Sequence, residues 1–195
     1  MISEFKLSLY KQPDGSLLVE ITSVPKEPNK FLKDAIAYEK KYRAMLDAMR
    51  PYTRARIVIQ SHGGEMNSAL GLMSALRGIS VPCTLLIRGY AESAAAMIAF
   101  GLDNCPVYIT PGASVMMHMP KVQKYSKKGG IWTVVGRLTR ASTVNMLVKI
   151  FADACHAKKK VVREWLESNK RFNPHEMALL KMIRGVMTQD DFMMM

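Results

Sequence analysis

The run Cys83-Thr84-Leu85-Leu86-Ile87-Arg88-Gly89-Tyr90-Ala91-Glu92-Ser93-Ala94-Ala95-Ala96-Met97 constrains this chain more than any other stretch. Its first half is apolar without alternation, as in a strand buried on both faces. A glycine and a serine follow, then an alanine-rich segment to Phe100 that reads as a helix. A strand feeding directly into a helix is the unit of a parallel α/β sheet. The serine at the junction has two uses. Its hydroxyl can cap the helix, or it can stand exposed beside free N–H groups that would stabilise an anion.

The pattern repeats upstream. Arg56-Ile57-Val58-Ile59-Gln60 is a short β-branched strand, Ser61-His62-Gly63-Gly64 a turn, and Met66 to Leu76 a helix. Downstream, Val107 to Thr110 and Ala113 to Met117 read as strands around Pro111-Gly112, and the second delivers His118. In such sheets, sites gather beyond the carboxyl ends of strands. Gly63-Gly64, Ser93 and His118 can therefore share one edge. A serine nucleophile needs a base within reach and N–H donors for the oxyanion, so these three features are candidates for that chemistry, with the helix cap as the alternative for Ser93.

The flanks are less pointed. Residues 4–10 and 17–22 surround Pro13-Asp14-Gly15, a turn in which Pro presets φ and Gly supplies a positive φ, so a β-hairpin opens the chain. Val24-Pro25-Lys26-Glu27-Pro28 breaks it, and Asn29 to Met49 has helical spacing that Pro51 ends. Lys121 to Gly130 reads as a polar surface loop, and Ile131 to about Lys160 as one long helix that either projects toward another subunit or wraps the core. Asn173-Pro174-His175-Glu176 resembles a capping box opening a helix that runs to about Arg184. The last residues read as a frayed tail.

Composition narrows the class. The 195 residues suffice for one domain. No apolar run approaches the length of a membrane span, and the start lacks a signal-peptide pattern. Three scattered cysteines, Cys83, Cys105 and Cys155, suit reduced core positions and a cytoplasmic setting. The four histidines lie far apart, with no metal-ligand spacing. No cofactor motif stands out. The net charge of +12 invites a nucleic-acid reading, but no aromatic-interleaved basic stripe accompanies it, so nucleic acid is not expected as a partner.

Three segments in register carry a resemblance. Ile59 to Gly64, Gly89 to Ser93 and Met116 to Pro120 resemble the Ser-Pro-Gly-Gly turn, the Gly-x-Ala-x-Ser-Met segment and the His-x-Pro segment of the ClpP family, the proteolytic subunit of the Clp protease. The resemblance runs from about Leu17 to Gly185. It implies an α/β ClpP/crotonase-like fold with stacked β-α-β units and a long handle helix, in one domain. Within 1–195 it assigns a hairpin to 1–22, a head to 23–120, a handle loop and helix to 121–168, and a capped helix and tail to 169–195.

It also implies a serine endopeptidase acting on unfolded polypeptides inside a ring-shaped chamber. Ser93 would be the nucleophile, His118 the base, Gly64 and Ala94 the backbone oxyanion donors, and Gly63 a contact to the substrate strand. Paired heptameric rings and a Clp-type AAA+ unfoldase would be its partners. The family's third catalytic residue is an aspartate; alignment on the capping box puts Asn169 there, with Glu167 or no residue as alternatives. Asparagine can fix an imidazole tautomer, but Asp-to-Asn replacement in a serine protease can lower turnover by about 10⁴. A weakened or inactive structural ring subunit is therefore the other reading. His62 stands where the family has proline, and Glu92 beside Ser93 is a further departure, suited either to the helix terminus or to raising the pKa of His118.

Overall fold

The computed structural model describes residues 2–120, 122–128, 131–138 and 141–195, with Ile2, Pro28, 122–128 and 131–138 described by backbone alone. Strands β1 (Ile2–Lys11) and β2 (Leu17–Lys26) form the opening hairpin. Then come α1 (Ala35–Asp47), β3 (Ala55–Ser61), α2 (Met66–Arg77), β4 (Cys83–Glu92), α3 (Ala94–Phe100), β5 (Val107–Ile109) and β6 (Ser114–Met116). β7 (Val122–Lys128), β8 (Ile131–Leu138), α4 (Ala141–Cys155), α5 (Lys159–Glu167) and β9 (Arg171–Phe172) follow. α6 (Pro174–Leu179), β10 (Gly185–Val186) and α7 (Gln189–Met194) complete the chain.

The main sheet runs β1-β2-β3-β4-β5-β10, parallel from β2 onward, and β6 continues beside β4 and pairs with β9. Helical crossovers return the chain parallel, as the sequence pattern requires. The absence of alternation has a direct cause. Ile57, Ile59, Leu85 and Ile87 point into the main core beneath α1, α2 and α3, while Val58 and Leu86 point to the opposite face. Both faces of β3 and β4 are therefore buried at these positions, so consecutive residues there are apolar.

Polar groups lock the hairpin to this core. The buried Tyr42 hydroxyl of α1 donates to the Phe5 carbonyl at 2.7 Å and lies 2.8 Å from Ser68 Oγ of α2. The Ser68 hydroxyl in turn accepts the Phe5 N–H at 3.3 Å. Glu4 is buried between Lys26 and Lys41, which hold its carboxyl below the usual range although burial alone would push it up.

Four expectations need correction. The capped helix after Asn173 ends at Leu179, short of Arg184. The segment from Ile131 is not helical: β7 and β8 form an antiparallel two-stranded ribbon, and helix begins at Ala141. Ile131-Trp132-Thr133-Val134-Val135 is β-branched and aromatic, a preference for strand. In the sequence Gly129-Gly130 separates the two strands, a dipeptide suited to tight hairpins. The apolar positions there satisfied a helical period by coincidence. Lys121, Gly129, Gly130, Thr139 and Arg140 of the expected loop and helix lie outside the described residues.

The helix after Pro28 is also shorter than expected. It starts at Ala35, where Asp34 accepts the Ala37 N–H at 2.9 Å. Finally, the tail is an ordered helix. Thr188 and Asp191 form a capping box at the start of α7. Its Phe192 is fully buried with Val58 and Leu86, closing the outer face of the sheet.

Candidate active site

Ser93 stands at the β4–α3 junction with φ 56° and ψ −124°, a backbone conformation that a residue with a Cβ adopts at a cost of roughly 1–3 kcal/mol. Its side chain caps nothing. Its own N–H donates to the Met116 carbonyl at 2.8 Å, continuing the pairing of Tyr90 with Ser114, Ala91 with Val115 and Glu92 with Met116. The turn is therefore clamped on one side by β6 and on the other by α3, whose alanines are buried. A serine on a strained strand-to-helix turn presents its hydroxyl outward, away from helix-capping geometry.

The Gly63-Gly64 turn packs directly on this junction. A Cβ on Gly63, whose φ is +93°, would stand 2.8 Å from both the Ser93 Cβ and the Glu92 carbonyl oxygen. It would also stand 3.2 Å from the Ala94 nitrogen. A Cβ on Gly64 would stand 2.6 Å from the Ser3 carbonyl oxygen of β1. Hydroxyls fix the turn from behind. Ser23 donates to the Gly63 carbonyl at 2.7 Å, Gly63 donates its N–H to Ser61 Oγ at 3.0 Å, and the two serines bond each other. Neither the Gly64 nor the Ala94 N–H has a hydrogen-bond partner among the described residues.

His118 follows β6 on a segment pinned to the α5–β9 turn. Met117 donates to the Lys170 carbonyl and Met119 to the Leu166 carbonyl, each at 3.0 Å. The imidazole Nδ1 lies 2.7 Å from the Met119 carbonyl oxygen. A carbonyl only accepts, so Nδ1 carries the hydrogen and Nε2 is left with the lone pair of a base. Asn169 occupies the adjoining turn with φ 53°, but its side chain is exposed and bonds no described residue. Glu167 is likewise exposed. No hydrogen bond joins the Ser93 and His118 side chains among the described residues; what joins them is the Ser93–Met116 main-chain bond, two residues before the histidine.

Glu92 does not reach His118. Its Oε2 lies 2.7 Å from His62 Nδ1 and its Oε1 accepts from Arg171 Nη1 at 2.6 Å. Burial alone would raise the Glu92 carboxyl, but those two hydrogen bonds outweigh it and hold the group below its ordinary range. The His62 ring stacks on Tyr90 at 4.0 Å between centroids. Arg171 also donates to Ser114 Oγ at 3.0 Å. This arginine drew no attention in the sequence, because only the β6–β9 pairing brings it to Glu92.

Among the described residues no group of three His, Cys, Asp or Glu side chains could hold a metal ion, and no helix is long and apolar enough to cross a membrane. A cavity of about 620 Å³ lies near the opposite end of the strands, between Phe100, Cys105, His156 and Arg184, away from Ser93.

The model of the family described as Clp protease matches residues 32–190. The chain belongs to the Clp protease family. Its relatives are distant. It is 23% identical over 146 residues to the ATP-dependent Clp protease proteolytic subunit of Leuconostoc citreum, covering 74% of this chain and 72% of that protein. It is 20% identical over 150 residues to the ATP-dependent Clp protease proteolytic subunit 1 of Chlamydia trachomatis, covering 73% and 74%. Among solved structures it is similar to ClpP1 from Listeria monocytogenes, with TM-score 0.59 at 15% identity over 81% of this chain and 86% of that one. A mutant of the 1510-N membrane-bound stomatin-specific protease gives TM-score 0.56 at 14% identity, over 82% and 77%. These structural likenesses establish the ClpP-like fold, and the family match accords with the resemblance in the three motifs.

Proposed function

We propose that this Clp-family chain is a serine endopeptidase in which Ser93 attacks, His118 is the base, and the Gly64 and Ala94 amides receive the oxyanion. The observation that carries the reading is the strained Ser93 turn, main-chain bonded to Met116 beside His118 and packed against Gly63. His118 Nε2 takes the Ser93 hydroxyl proton as Oγ bonds to the peptide carbonyl carbon. The carbonyl oxygen becomes negative between the two unpartnered amides. His118 returns the proton to the leaving amine, and water, activated by the same imidazole, releases the acyl group from Ser93.

The Met119 carbonyl supports the tautomer this needs, while the Asn169 side chain on the adjoining turn is exposed and bonds no described residue. A carbonyl orients the ring without the charge a carboxylate brings to the imidazolium, so turnover is slower than with an aspartate. The substrate is unfolded polypeptide. The chain assembles as rings, heptameric and paired, which receive substrate from a Clp-type AAA+ unfoldase in the cytoplasm.

A second reading, a ring subunit with little or no activity, is favoured by one observation: among the described residues no carboxylate hydrogen-bonds His118. Turnover of a fluorogenic peptide by the purified assembly separates the two. Cleavage abolished by Ser93→Ala supports the peptidase; assembled rings without cleavage support the structural subunit.

A further inference from the structure

We propose that Glu92 is a positioning residue: one carboxylate that brackets the oxyanion turn to the segment supporting His118, across the nucleophile. The inference deepens the peptidase reading above and rests on it for its catalytic consequence. Three segments must keep register for the chemistry to work. They are the Gly63-Gly64 turn, the Ser93 junction and the α5–β9 turn whose carbonyls accept from Met117 and Met119. They are far apart in sequence, and Glu92 adjoins Ser93 and bonds the residue that flanks each of the other two, His62 and Arg171.

Its main chain enters the Ser93 turn directly. Its Oε2 holds His62, the residue before Gly63, at 2.7 Å. Its Oε1 holds Arg171, the residue after Lys170, at 2.6 Å. The carboxylate is largely shielded, with its side chain 12% exposed, while the His62 and Arg171 side chains are 69% and 54% exposed. Each outer partner is steadied a second time, His62 by stacking on Tyr90 and Arg171 by Ser114. Both Glu92 oxygens are thus committed, to opposite walls of the site. A shielded carboxylate with two charge-assisted bonds is stiffer than either surface partner alone.

The bracket also accounts for His62. A histidine preceding Gly63 gives up any φ restraint at that position, and the bond to Glu92 replaces it with a side-chain anchor. Misplacing an oxyanion donor by about 1 Å can cost roughly a hundredfold in rate.

The test uses Glu92→Gln, His62→Phe, which keeps the stack on Tyr90 but loses Nδ1, and Arg171→Met, in the full-length protein. Peptide turnover gives kcat and KM, and amide hydrogen exchange gives local opening. The bracket predicts that Glu92→Gln lowers kcat by roughly tenfold to a hundredfold with KM nearly constant. It predicts that His62→Phe adds little in the Glu92→Gln background, because the two share one interaction. Exchange at Gly63 on one side and at Lys170 and Arg171 on the other should quicken together in Glu92→Gln and in Arg171→Met.

Multiplying effects of the single changes, or quickened exchange on one side only, overturns the bracket. Exchange is read without turnover. If wild-type protein cleaves nothing while the two sides still loosen together, the peptidase reading fails and the bracket stands as structure.

Discussion

Gly63 and Ser93 are in contact through the one atom a glycine lacks: a Cβ on Gly63 would stand 2.8 Å from the Ser93 Cβ. The Gly63-Gly64 turn and the Ser93 junction are thereby fixed to each other without an intervening side chain. Gly63→Ala is expected to destabilise the fold by roughly 1–3 kcal/mol, from overlap and from a positive φ. Ser93 reactivity should fall more steeply than stability. Thermal unfolding and the rate of covalent labelling, measured on the same sample, check this.

Asn169 is exposed, and the observed partner of His118 Nδ1 is the Met119 carbonyl at 2.7 Å. Asn169→Ala should therefore lower kcat by less than about tenfold, well short of the loss of about 10⁴ seen when a serine protease loses its only tautomer-fixing carboxylate. Steady-state kinetics of the alanine variant decide it; a loss of several orders of magnitude would show that Asn169 orients the ring during turnover.

Phe192 is fully buried on the outer face of the sheet against Val58 and Leu86, with Tyr108 tilted beside it at 6.4 Å between centroids. Phe192→Ala should cost about 3–5 kcal/mol in urea unfolding. A change near zero would mean that α7 adds nothing to the core.

Burial would raise Glu4 and Glu92, but hydrogen bonds from Lys26 and Lys41 to the first, and from His62 and Arg171 to the second, hold both below their ordinary value of 4.5. The unfolded chain then binds protons at a higher pH than the folded one. Stability from these groups is complete above the ordinary value and drains away as pH falls through the folded values. Urea midpoints should be level above about pH 6 and fall below about pH 4.5. The fall should be shallower in Glu92→Gln. An unchanged slope in that variant would contradict the assignment.

Much of this architecture was legible because its signals are local. Ile57 to Ile59 and Leu85 to Ile87 are apolar on consecutive residues, and only a strand covered on both faces demands that. Gly63, Ser93 and His118 each follow a strand, so topology alone gathers them. The capping box at Asn173 and Glu176 formed as its spacing implied. What escaped was non-local or ambiguous. Residues 131–138 satisfy helical and strand patterns alike, and β-branching outweighed period. The tail looked frayed because nothing nearby in sequence reveals that Phe192 meets Val58 and Leu86. The Glu92–Arg171 pair depends on β9 folding back beside β6, and no spacing rule encodes that.

The central claim is that Ser93 is a nucleophile activated by His118, and covalent labelling by a fluorophosphonate probe tests it most directly. A single adduct is expected, mapped by mass spectrometry to Ser93, absent in Ser93→Ala and formed far more slowly in His118→Ala. A wild-type protein that stays unlabelled, or an adduct that persists in Ser93→Ala, would contradict it.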